Sequence, residues 1–216
     1  MKRQFWFFLF ILVSFCGCSS QDSSSQLNNV AIAARDEGIP DIKPIVYRIK
    51  VPKIWIQQNP SSNESIADTT KAITEFFIHE GPAKIRIAIH NFPSNKLEQR
   101  IPPIAQISRW KKQFQSLNEA SISIKPQAFG GYSGLLFEAT GQMQGAQTSI
   151  LGWVLQLTPE HYRNLSLPVH QSIAQRHRQM RGDVTIKAVG PADLMAKYRE
   201  NIMAFARSFQ LIDDMP

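Results

Sequence analysis

Residues 184–209, VTIKAVGPADLMAKYRENIMAFARSF, join a strand pattern to an amphipathic helix through Gly190-Pro191. Residues 184–189 read as a strand. Beyond the Gly-Pro break, Leu194, Tyr198, Ile202, Phe205 and Phe209 recur at three and four residue steps. Lys197, Arg199, Glu200 and Arg207 fall between them, so one face of this helix is apolar and the other charged. Such a unit needs a sheet beneath it, and the sequence upstream supplies one.

Alternation with period two is clearest where Ile85, Ile87 and Ile89 oppose Lys84, Arg86 and His90. It recurs where Ile45, Tyr47, Ile49 and Val51 oppose Arg48 and Lys50. Further strands are expected over residues 70–79, 121–125, 133–140 and 148–157. Their short connections favour antiparallel pairing. A second helix is expected after Pro102-Pro103, with Ile104, Ile107, Trp110, Phe114 and Leu117 on its apolar stripe. The expected class is α+β, a largely antiparallel sheet sandwiched by helices.

These residues carry a resemblance to the PsbP-like fold, shared by the extrinsic P subunit of photosystem II, a Ran-binding nuclear import factor and many bacterial envelope lipoproteins. Its carriers are Tyr47-Arg-Ile-Lys-Val-Pro52 with Trp55, the run Trp110 to Phe114, and Val184-Thr-Ile-Lys-Ala-Val-Gly-Pro191 leading into a helix that ends at Ser208-Phe209. The resemblance spans roughly Ile45 to Leu211 and implies an α/β/α sandwich. It brings no catalytic residues with it, and fold alone transmits neither the photosystem nor the Ran-binding role.

The chain has 216 residues, 43% hydrophobic and 19% charged, with 11 Gly and 13 Pro, which excludes bulk disorder and collagen-like sequence. No internal repeat points to a solenoid or propeller. At the amino end, Lys2 and Arg3 precede the apolar run Phe5 to Cys16, which is too short to span a bilayer and reads as a signal peptide. Phe15-Cys16-Gly17-Cys18 resembles the lipobox of bacterial lipoproteins, with small Gly17 before the acceptor Cys18, although Phe15 and Cys16 depart from the usual pattern. Residues 1–17 are then the signal peptide, 18–44 a lipid-anchored flexible tether rich in Ser and Gln, and 45–213 the PsbP-like domain. Export would remove Cys16 and acylation consume Cys18. The mature domain would lack a thiol nucleophile, a thiolate metal site and a disulfide. Losing Lys2 and Arg3 lowers the formal charge from +7 and leaves a mildly basic chain.

From His161 to Gly182 there is no acidic residue, whereas Arg163, Arg176, His177, Arg178 and Arg181 all occur there. This basic insertion is a candidate binding surface for anionic lipid or glycan, and Pro168, Val169, Ile173, His177 and Met180 suggest a short amphipathic helix within it. None of the five histidines has metal-motif spacing, and His90 falls on the polar side of its strand. Phe129-Gly-Gly-Tyr-Ser-Gly134 is neither a phosphate loop nor a nucleophile elbow, because a strand follows it. It reads as a bend with Tyr132 as a tip aromatic open to contact.

The function expected is that of a non-catalytic envelope module on a lipid anchor, at the outer membrane facing the periplasm by virtue of Ser19 after the acceptor. An envelope protein partner is expected, and neither nucleic acid nor a cofactor. Anionic lipid or glycan binding through the insertion at 161–182 is the alternative, and a hydrolase whose site only the fold assembles ranks below it.

Overall fold

In a computed structural model, which describes residues 26–33, 45–59, 70–92, 98, 100–162 and 181–212, the 184–189 segment lies at the centre of a sheet. In chain order the strands are β1 (Leu27–Ala33), β2 (Ile45–Pro52), β3 (Ile56–Gln58), β4 (Thr74–Glu80), β5 (Ala83–Phe92), β6 (Ser116–Leu117), β7 (Ser123–Phe129), β8 (Tyr132–Met143), β9 (Ala146–Leu157), β10 (Asp183–Pro191) and β11 (Gln210–Leu211). The helices are α1 (Pro103–Lys111) and α2 (Ala192–Arg207), with a helical turn at Pro159–Tyr162. The larger sheet runs β3-β4-β5-β10-β9-β8-β6, with β7 also on β8, and every pairing is antiparallel. A smaller antiparallel sheet runs β1-β2-β11.

β10 pairs with β5 on one side and β9 on the other, placing Ile186 between Ile89 and Trp153. Its two faces serve two apolar layers. Val184, Ile186 and Ala188 join the larger layer with α2 and β2, whereas Val189 packs with the smaller layer under α1. The result is an α+β sandwich in which α1 covers one face, and α2 together with the small sheet covers the other. The second cover is therefore half helix and half sheet, a refinement of the expected all-helical covers.

α2 buries Leu194, Met195, Ile202, Met203, Phe205 and Ala206. Asp193 in its first turn and Arg207 in its last suit the helix dipole. Phe209, counted on the same stripe, lies just past the helix and is wholly buried between Tyr47 and Tyr132, with ring centroids 5.0 and 5.8 Å away.

α1 begins at Pro103, where a missing N–H costs nothing. It is shorter than the periodic pattern predicts. Gln113 N–H donates to Trp110 O and Phe114 N–H to Lys111 O, tight turns that stop the helix. Gln115 N–H then bonds Gln142 O on β8 at 2.8 Å and draws the chain into the sheet. Phe114 and Leu117 thus leave the helix yet stay in its apolar layer, while Ile104 is exposed. Trp110 sits on Gly152 of β9, where a Cβ would lie 2.3 Å from the indole.

Residues 27–33, read from the sequence within the tether and its continuation, instead form β1 and pair along the length of β2. Ile32 is buried and Val30 half-buried, a two-residue alternation hidden among Ser, Gln and Asn. The strand expected over 70–79 starts at Thr74, and the one expected at 121–125 extends to Phe129 behind a 3-10 turn at Glu119–Ser121.

Candidate functional site

β2 turns Tyr47, Ile49 and Val51 inward, so Arg48 and Lys50 point outward on the small sheet. Register places Asn29 of β1 opposite Lys50, and Gln210 of β11 opposite Arg48. Arg207, the last residue of α2, and Ser208 complete one end. Ser208 Oγ accepts from Lys50 N–H at 2.9 Å and donates to Phe205 O at 2.6 Å, locking the helix terminus to β2. Gly130 forms part of the lining. With Gly131 it makes the two-residue turn between β7 and β8, at φ 60° and 87°, and a Cβ on it would lie 2.2 Å from Phe209 O. Asn29, Arg48, Lys50, Gly130, Arg207, Ser208, Phe209 and Gln210 enclose a groove of about 310 Å³.

Three cations and no carboxylate line this groove, and none of the three pairs with a carboxylate among the described residues. Three other surface cations are matched: Arg86 with Glu75, Lys197 with Glu80, and Arg199 with Glu138 and Glu200. The groove can attract an anionic group, and it offers no imidazole, carboxylate or thiol for proton transfer. Among the described residues no three His, Cys, Asp or Glu side chains converge as metal ligands.

A second polar cluster is buried at the start of β10. Asp183 accepts from Arg100 Nε at 2.9 and 3.1 Å, from Arg100 Nη2 at 2.5 Å and from Leu157 N–H at 3.0 Å. Tyr132 Oη donates to Gly182 O at 3.2 Å, and Gly182 N–H donates to Tyr47 Oη at 3.4 Å. Burial pushes both phenols above their ordinary pKa, Tyr132 well above, so they act as neutral hydrogen-bonding groups. This cluster clasps the start of β10 to its neighbours. It presents no activated nucleophile.

Lys187 lies on the α1 face of β10, its Nζ 5.8 Å from the Trp110 ring centroid and bonded to Gln113 Oε1. Burial, helped by the charge of Arg86, lowers its pKa to about 8. The folded value lies below the unfolded one, so the unfolded chain binds more protons between pH 8 and 10.5. This group therefore destabilises fully below pH 8, and the penalty is relieved as pH rises through that window. Lys187→Met is expected to stabilise the fold by about 1–2 kcal/mol at pH 7, allowing for the partial exposure of the side chain. Thermal melts of both proteins should converge as pH approaches 10; a constant gap would remove the titration from the explanation.

Of the site residues singled out in the sequence, Cys18, Arg163, Arg176, His177 and Arg178 lie outside the described residues, as does most of the expected helix between His161 and Gly182. Arg181 is described, and it corrects the expectation of a surface cation. It is 5% exposed, and its guanidinium donates to Ile212 O. Tyr132, expected as an exposed tip aromatic, is 1% exposed, because a two-residue turn leaves it paired with Phe129 inside the ladder. His90 is half-buried, with Nε2 3.2 Å from Thr70 O. Sequence reading placed Arg48 and Lys50 on one outward face but had no signal for Arg207, which only the fold of α2 against β2 brings beside them.

No family model and no curated protein matches the chain. Solved structures similar to it include LpqN of Mycobacterium tuberculosis, described as involved in cell envelope biogenesis, at 10% identity over 86% of this chain and 91% of that one, with a TM-score of 0.47. A PsbP of the cyanobacterium Synechocystis shares 12% identity over 85% and 94% of the two chains, with a TM-score of 0.46. A Pseudomonas aeruginosa protein of unknown function shares 10% over 78% and 92%, with a TM-score of 0.42. PsbP, the namesake of the resemblance carried by the residues, is among these structures.

Proposed function

We propose that the chain is a non-catalytic binding module of the cell envelope, tethered to a membrane through lipid on Cys18. The observation that carries this reading is the basic groove, whose lining supplies positive charge and hydrogen-bonding groups and includes no imidazole, carboxylate or thiol. The junction Gly17-Cys18 after the apolar run Phe5 to Cys16 supports the anchor. Ser19 after the acceptor supports the outer membrane and a periplasmic face, and a protein of that compartment is the partner the module would hold. Among the described residues no helix is long and apolar enough to cross a membrane.

Cys18→Ala is expected to abolish palmitate labelling in cells and leave an unprocessed precursor, whereas Cys16→Ser leaves labelling intact. Labelling of the Cys18 variant would sink the anchor. A hydrolytic activity that survives purification and is lost on substitution of a groove residue would sink the non-catalytic reading.

A further inference from the structure

We infer that the groove of Arg48, Lys50 and Arg207 rests on anionic phospholipid headgroups of the membrane to which the chain is tethered. The inference builds on the reading of Cys18 as the anchor. β1 starts at Leu27, and the nine residues from Cys18 to Leu27 reach at most about 30 Å when fully extended. Asn29, two residues further on, already lines the groove. The anchor therefore confines the groove to a thin layer above the headgroups, where effective concentration is high.

Charge complementarity selects the occupant. The three cations come from β2 and the end of α2, have no carboxylate partner among the described residues, and share a face with Leu27, which is 54% exposed. An exposed apolar residue beside these cations suits the boundary between headgroups and acyl chains. A small free anion would instead need converging donors. Ser208 Oγ is already engaged by Lys50 N–H and Phe205 O, and the cations are spread across two elements. That spread matches a surface of many phosphates. A basic patch joined to an acyl anchor then forms a two-signal attachment, with the groove setting the orientation of the domain.

The test reconstitutes the full chain on phosphatidylcholine vesicles, with or without phosphatidylglycerol. The readout is the acetylation rate of Lys50 relative to exposed Lys125 on β7, by peptide mass spectrometry. Phosphatidylglycerol is expected to slow Lys50 about fivefold or more relative to Lys125, and high salt should restore the rate. Arg48→Gln combined with Arg207→Gln should restore it at low salt. Acetylation of the other lysines on phosphatidylcholine checks that this variant is folded, and the salt dependence of the unaltered chain decides the matter if it is not.

Equal Lys50 rates on both vesicles would overturn the inference. So would slowing that survives high salt, or equal slowing by inorganic phosphate added to phosphatidylcholine vesicles, which would assign the groove to a soluble anion. Palmitate labelling scores the anchor separately, so failure of the Cys18 reading and failure of the groove reading give different results.

Discussion

Phe205→Ala is expected to destabilise the fold by about 3–5 kcal/mol, with a matching fall in the urea midpoint. The ring is 2% exposed and sits between the turn after β2 and the large sheet, 5.1 Å from Trp55 and 5.2 Å edge-on from Phe76. Trp55 follows β2 in the chain and Phe76 belongs to β4 of the large sheet, so this ring ties α2 to both. Neighbours held by two sheets cannot close over the space it leaves, and a cavity that does not collapse adds to the lost transfer energy. Trp110→Ala on the opposite face is expected to fall in the same range, since the indole is 3% exposed and seated on the bare backbone of Gly152. An unchanged midpoint in both variants would mean that neither layer is packed as described.

What the sequence made legible follows from how each signal is encoded. Period two is local, so β2, β5, β9 and β10 were readable within a few residues, and the heptad-like stripe of α2 within sixteen. The end of α1 was not, because Phe114 and Leu117 keep the helical spacing while Gln115 is captured by Gln142 of a strand far along the chain. β1 was missed for the same reason in reverse. Only Val30 and Ile32 mark it as a strand, and its partner β2 supplies the ladder that a seven-residue segment cannot make alone. At the groove, Arg48 and Lys50 were legible as outward residues, but a site is a juxtaposition. Arg207 arrives there because Ser208 hydrogen-bonds to the backbone of Lys50, a contact across 158 residues that no spacing rule contains. Arg181 shows the converse: a cation in a basic stretch was assigned to the surface by composition, whereas a backbone acceptor at Ile212 gives it a buried place.

Asp183→Ala is expected to cost about 3–5 kcal/mol, as breaking one side of a buried ion pair does. Asp183 is 8% exposed, and both side chains of the Arg100–Asp183 pair are 11% exposed. The carboxylate neutralises the guanidinium through two of its nitrogens and also accepts from Leu157 N–H at the end of β9. Its loss takes the opposite charge from a largely buried guanidinium and the acceptor from the Leu157 N–H, and water reaches neither easily. Arg100 Nη2 also donates to Leu157 O at 2.8 Å, so the pair staples residue 100, the end of β9 and the start of β10 into one unit. Removing both partners should therefore cost much less than the sum of the two single changes: Arg100→Met with Asp183→Leu would take away the buried guanidinium charge along with its counter-charge. Unfolding free energies of the four proteins measure that coupling. Additive losses would show that Arg100 and Asp183 act independently and that Asp183 matters only as an acceptor for Leu157. Strong coupling would place the clasp in the ion pair itself, at the point where the chain returns from the basic 163–180 segment to the centre of the sheet.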